Sequence, residues 1–294
     1  MPWQQVKLWL RGENAEDMEQ LLLDHGAASV SLLDARDQPI FQTEPGATPL
    51  WDETIVAALF TMATPLEDIM AQVLGQIPME MVSHYHVELL EDKDWRTAWM
   101  ADFHPMQFGQ RLWICPSWLS PPDPEAVNIL LDPGLAFGTG THPTTALCLE
   151  WLDQADISDR LVIDYGCGSG VLGIAAALLG ARQVLAVDND PQAVTATHPN
   201  RDHNRIDAGL LQCFLPADLP PVQADVLLAN ILAQPLHELA GHFADLMKPG
   251  AHLVMSGLIQ NQVDDLLVTY ARDFEMMSPV LRDGWVRLAG RRRA

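Results

Sequence analysis

One stretch constrains this chain more than any other. Leu161-Val-Ile-Asp-Tyr-Gly-Cys-Gly-Ser-Gly170 is an apolar run that halts at an acidic residue and passes through three alternate glycines into a helical sequence. Glycine permits positive φ and lets a ligand approach the backbone with no Cβ in the way. The helix beyond offers N–H groups that have no partner within the helix. A buried strand, a glycine turn and a helix in that order open a doubly wound parallel sheet, whose ligands bind at the carboxyl ends of the strands.

The same rhythm extends to both sides. Strands are expected at 127–131, 161–165, 183–187, 209–214, 225–229 and 251–256, near-continuous runs of Leu, Val and Ile that suit a sheet covered on both faces. Helices are expected at 145–151, 170–179 and 235–247. Residues 277–288 read as two further strands turning at Asp283 and Gly284.

Asp164 closes its strand where a carboxylate can accept hydrogen bonds from a cationic amino group. Asp188 closes the next, about 20 residues past the glycines, from where a carboxylate receives the ribose hydroxyls of an adenosine. The ligand is therefore expected to be a nucleoside derivative. Gly168-Ser-Gly170-Val-Leu-Gly173 also satisfies the dinucleotide pattern, so two ligands stay open: S-adenosylmethionine, held by Asp164, Gly166, Gly168 and Asp188, and a dinucleotide. An acidic residue ahead of the turn repels pyrophosphate and attracts a cation, which favours S-adenosylmethionine.

Upstream lies Asp132-Pro-Gly-Leu-Ala-Phe-Gly-Thr-Gly-Thr-His-Pro-Thr-Thr145. This loop could fold over the ligand, with Phe137 covering it and Thr145 reaching it by hydroxyl or backbone. Its plainer alternative is a Gly-rich turn capped by threonines. At the end of the fourth strand, Ala229-Asn-Ile-Leu232 places a neutral amide, Asn230, at the carboxyl edge of the sheet.

Residues 1–92 have another rhythm: strand 4–10, helix 13–25, strands 28–34 and 54–60, helix 66–77, strand 85–90. That order is the split pattern of a ferredoxin-like α+β domain, a small antiparallel sheet with two helices on one face. His84 and His86 alternate along its last strand, where a packed or solvated role outweighs metal binding. Residues 93–124, rich in Trp and Pro with a helix-like start at Asp94 to Met100, read as a connecting segment packed on a domain, and 125–294 as the ligand-binding domain.

Cys115, Cys148, Cys167 and Cys213 form no CxxC pair, so neither a disulfide framework nor a metal site is expected. No apolar run is long and unbroken enough to span a membrane, and no secretory signal is visible at the amino terminus, so the expected location is the cytoplasm. The formal charge of -22, with Lys7, Lys93 and Lys248 the only lysines, disfavours direct nucleic-acid binding and would draw in a basic partner. Arg291 to Arg293 is expected to be a solvated, frayed tail.

Taken together, these phrases resemble the ribosomal protein L11 methyltransferase family over nearly the whole chain. The resemblance rests on Asp94-Trp-Arg-Thr-Ala-Trp99, Phe103-His-Pro105, Leu112-Trp-Ile-Cys-Pro-Ser-Trp118, Asp132 to Thr145, Asp164 to Gly170, Asp188-Asn-Asp-Pro191 and Ala229 to Leu232. It implies a class I, Rossmann-like methyltransferase domain that trimethylates lysine side chains and the amino-terminal amine of the large-subunit stalk-base protein, free or assembling. It also implies that the ferredoxin-like domain recognises that substrate, and that Thr145, Gly166, Asp188 and Asn230 contact the cofactor. Methylation of another protein or of a small-molecule amine is the alternative. One departure is Thr197-His-Pro-Asn-Arg-Asp-His-Asn204, where family members usually carry an Asn-Ala pair: Pro199 should break or kink the helix there.

Methyl transfer from a sulfonium needs a neutral amine. For a free lysine, deprotonation at pH 7 costs about 4.6 kcal/mol, and for an α-amine about 1 kcal/mol. A carboxylate beside the nitrogen would hold its proton on, whereas Asn230 could accept from the amine and aim its lone pair without that penalty. No dedicated general base is identifiable.

Overall fold

The structure is a computed structural model that describes residues 2–36, 50–78, 80–90, 103–132 and 142–294. It contains two compact units, Met1–Met100 and Ala101–Ala294.

The first unit runs β1 (Trp3–Arg11), α1 (Ala15–Asp24), β2 (Ser29–Asp34), β3 (Glu53–Thr61), α2 (Leu66–Gly75) and β4 (Val82–Leu90), in the sheet order β2-β3-β1-β4, all antiparallel. Strand alternation decides its two faces. Val6, Leu8 and Leu10 of β1 are buried together with Met18 and Leu22 of α1 and Met70 and Val73 of α2. A fully buried Leu or Val contributes about 1.5–3 kcal/mol, so one such layer holds the helices to the sheet. On the other face Trp9 stacks on His84 with centroids 4.3 Å apart, a packed role for that histidine.

The second unit comprises β5 (Met106–Phe108), β6 (Leu112–Cys115), β7 (Val127–Leu130), α3 (Pro143–Gln154), β8 (Leu161–Tyr165), α4 (Val171–Leu178), β9 (Gln183–Val187), α5 (Pro191–His203), β10 (Leu211–Phe214), β11 (Ala224–Asn230), α6 (Ala233–Asp245), β12 (Met247–Ile259), α7 (Val263–Tyr270), β13 (Phe274–Met276), β14 (Val280–Arg282) and β15 (Trp285–Arg292). Its main sheet is ordered β10-β9-β8-β11-β12-β15-β13, parallel from β10 to β12, with β14 hairpinned on β15. The hairpin turns at Asp283 and Gly284, both at positive φ, as the two-residue turn requires. Val162, Val184, Val226 and Val254 join α3, α4 and the small sheet on one side; Ile163, Leu185, Leu227 and Leu253 join α6 and α7 on the other. Burial of both faces is why these strands read as unbroken apolar runs.

Three expectations change. Residues 106–115, placed in a connecting segment, are strands: β6 pairs antiparallel with β5 and parallel with β7. Buried Asp153 of α3 fixes their turn by accepting the amides of Gln110 and Arg111, both at 2.8 Å. The arginine tail is ordered: Arg291 lies in the β12–β15 ladder, Arg292 donates to the carbonyl of Ala244 at 3.2 Å, and Arg293 to those of Ala271 and Phe274. Cations at the ends of α6 and α7 are favoured by the helix dipoles, which the run of arginines alone did not reveal.

Helix α5 continues through Pro199 to His203. Pro199 and Thr195, whose carbonyl loses its helical donor, both lie on the exposed side, where water can satisfy that carbonyl. The opposite side is pinned down, as Thr197 donates to Gly168 O at 3.1 Å and Asn200 to Ser169 O at 2.8 Å. The helix expected at Asp94 to Met100, and the loop 133–141 with Phe137, lie outside the described residues.

Candidate functional site

From β8 the chain runs outward through β9 and β10, then returns to β11 and β12 on the other side. The order therefore reverses between β8 and β11, and Asp164 and Asn230 stand near the carboxyl ends of those two strands. Open α/β sheets bind ligands at such a switch point.

The glycine turn is shaped as its sequence requires. Gly166 and Gly170 are both at φ 81°, and Gly170 caps α4 in the left-handed region. A Cβ on Gly170 would lie 2.5 Å from Thr197 Cγ2, and one on Gly166 would overlap Ile231 Cγ2. Glycine is thus demanded here by neighbouring side chains as well as by φ.

Asp188 braces this turn from below: one oxygen accepts from Gly168 N at 2.9 Å, the other from Asp190 N at 3.0 Å. Each oxygen keeps a further lone pair, and the side chain is half-exposed.

Asp164 is 1% exposed. Its Oδ2 accepts from Gly173 N at 2.8 Å, an unpaired donor of the first turn of α4. Its Oδ1 is buried and has no hydrogen-bond partner among the described residues. Burial pushes its pKa up to about 7, the Gly173 amide pulls the other way, and the Asp188 charge adds to the rise. An uncompensated buried carboxylate is costly, and an entering cation would relieve it.

Thr145 and Asn230 meet. Thr145, in the first turn of α3, is fully buried, and its Oγ1 accepts from Asn230 Nδ2 at 3.3 Å. Asn230 Oδ1 is left buried without a partner among the described residues. The Thr145 hydroxyl thus accepts from the neighbouring amide while its own O–H can still donate, and Asn230 Oδ1 is the open acceptor.

The family model described as ribosomal protein L11 methyltransferase (PrmA) matches residues 2–293. This chain belongs to the ribosomal protein L11 methyltransferase family. Its relatives include proteins named ribosomal protein L11 methyltransferase from Pseudomonas fluorescens strain SBW25, 52% identical over all of both chains, and from Marinobacter nauticus, 50% identical over 100% of this chain and 99% of that protein. Among solved structures, the ribosomal protein L11 methylase of Lactobacillus delbrueckii subsp. bulgaricus superposes with a TM-score of 0.60 at 33% identity, covering 65% of this chain and 100% of that one. The chain is accordingly a methyltransferase, with a Rossmann-like domain and an amino-terminal ferredoxin-like domain.

Two features of this methyltransferase site were not read from its sequence. The cap of α3 is His142, not a threonine, although an acceptor side chain just before Pro143 at the first helical position was a usable signal. Asn200, one residue past Pro199, donates a hydrogen bond to the glycine loop beside that of Thr197. No group of three or more His, Cys, Asp or Glu among the described residues could hold a metal, and no described helix is long and apolar enough to cross a membrane.

Proposed function

We propose that this chain transfers methyl groups from S-adenosylmethionine to lysine side chains and the amino-terminal amine of ribosomal protein L11, with its ferredoxin-like unit recognising that substrate. A cytoplasmic location accords with that substrate. The names of its full-length relatives support the acceptor.

The observation that carries the cofactor reading is the buried Asp164 carboxylate, whose Oδ1 has no partner among the described residues. The residues fit a cationic nucleoside: Asp164 for the ammonium group, the Gly166–Gly168 turn for close approach, and Asp188 for the ribose hydroxyls. A dinucleotide fits worse, because its pyrophosphate would meet two carboxylates near one turn. S-adenosylmethionine would supply an activated methyl group on sulfur. The chain's own residues do the remainder: Thr145 holds the Asn230 amide by its nitrogen, and Asn230 Oδ1 accepts an N–H of the primary or secondary amine, directing the lone pair in the first two transfers. The tertiary amine of the third has no N–H and is aligned by the site's shape alone. Proximity accounts for most of the acceleration, since no base is required of the protein once a neutral amine is bound.

The exposed apolar side chains Leu33, Tyr85, Val87 and Leu89 on β2 and β4 support a docking role for the first unit. Incubation with labelled S-adenosylmethionine and separated, unmodified ribosomal proteins tests the proposal. Label should enter L11; label in another protein alone, or NADH binding without transfer, would overturn it.

A further inference from the structure

Thr145 is brought to Asn230 by the first turn of α3, and His142 closes that turn. The donors of a first turn need acceptors. Pro143 has none to offer; Thr144 N donates to His142 Nδ1 at 3.3 Å; Thr145 N and Ala146 N both donate to His142 O at 3.1 Å. Thr144 Oγ1 lies 2.7 Å from the same Nδ1. The ring stands edge-on to Trp285, centroids 4.7 Å apart at 69°, which fixes its plane. One residue thus serves every donor of the turn that carries Thr145.

We propose that His142 is a positioning residue for methyl transfer: as a neutral imidazole it closes the first turn of α3, and so sets Thr145 and the direction of Asn230 Oδ1. This rests on the reaction proposed above. Protonation at Nδ1 would replace the acceptor by a donor facing Thr144 N, and would add positive charge at a helix amino terminus. Burial already holds the His142 pKa below its ordinary value. Among the described residues, the charged and titratable groups that touch or act on α3 include Arg287 on Leu147 O, Arg282 paired with Glu150, Arg111 beside Asp153, His252 against Trp151, and the buried Cys148 thiol with Asp164 near it. Cys115 of β6, Asp225 of β11, Lys248 of β12 and Arg291 and Arg292 of β15 lie on elements packed against the same helix.

The test measures kcat at saturating S-adenosylmethionine between pH 5 and 9 for the unsubstituted chain, H142A and H142N, with L11 as acceptor. H142A should lower kcat about ten-fold at pH 8, while the dissociation constant of S-adenosylmethionine rises no more than about three-fold, because Asp164 and Asp188 are untouched. H142N restores an acceptor that does not titrate, so it should recover most of that loss. It should also abolish the extra downward bend on the acid side, below the ordinary imidazole range, that protonation of His142 should give the unsubstituted chain. If H142A does not fold, the comparison of H142N with the unsubstituted chain decides alone. A wild-type rate in H142A, or an acid bend that persists in H142N, overturns the assignment of His142 and leaves the reaction standing; no methyl transfer by the unsubstituted chain overturns both.

Discussion

Asn230 and Thr145, 85 residues apart in sequence, share a hydrogen bond of 3.3 Å at the point where the strand order of the sheet reverses. One N–H of the amide is used in that bond, and the buried oxygen, without a partner among the described residues, remains as a neutral acceptor. Asn230→Ala should lower kcat roughly 10- to 100-fold, the value of one hydrogen bond to a reacting or charged group, about 1.5–3 kcal/mol. Asn230→Asp should be slower still near pH 7 and recover as pH rises toward 9, because a carboxylate holds the proton on the amine. An Asp variant with an unchanged rate across that range would show that Asn230 does not position the amine.

Asp164 links cofactor binding to pH. Its carboxyl is raised from the ordinary carboxylate range to about 7, so the folded chain binds a proton there that the unfolded chain has released. The associated stability is fully present below about pH 4 and is lost as pH rises through 7. Binding a cation requires the ionised form, so affinity for S-adenosylmethionine should climb up to ten-fold per pH unit below 7 and level off above it. Asp164→Asn should bind the cofactor weakly at every pH, yet match or exceed the parent in thermal stability at pH 8. Calorimetric titration and a melting curve across pH 5–9 check both halves.

Arg205 follows the end of α5 at φ 55°, with Ile206 N bonded back to Arg201 O. That left-handed position favours glycine. Arg205→Gly should stabilise the chain by about 0.5–1 kcal/mol, after allowance for the entropy glycine gains on unfolding. A rise in Tm of roughly 1–4 °C is expected, with methyl transfer unchanged.

The charge of -22 makes a kinetic prediction. If the acidic surface steers a basic acceptor, kcat/KM for L11 should fall by roughly ten-fold between about 0.02 and 0.5 M salt, while kcat holds steady. Rates at both ionic strengths suffice, and a flat kcat/KM would remove steering from the account.

Much of the main sheet was legible because its strands are buried on both sides, which turns Leu161 to Ile163 and Val226 to Ala229 into apolar runs with sharp ends. Asp164, Gly166, Gly170 and Asp188 were legible for a related reason: strand ends and positive φ narrow the residue choice. Long-range hydrogen bonds leave no such local trace. Nothing near Thr145 announces that its hydroxyl is taken by Asn230, and nothing in Arg292 announces the Ala244 carbonyl at the end of α6. Pro199 does not break its helix, because the Thr195 carbonyl that loses its donor is exposed to water, which the local sequence does not announce. The strands at 106–115 were obscured by the aromatic and proline residues around them.

The most direct measurement is the intact mass of unmodified ribosomal protein L11 after incubation with the chain and S-adenosylmethionine, followed by peptide mapping. Mass should rise in steps of one methyl group to three per modified nitrogen, all of them on lysine side chains or the amino terminus. An unchanged mass, or methyl groups on any other kind of atom, would contradict the proposed function.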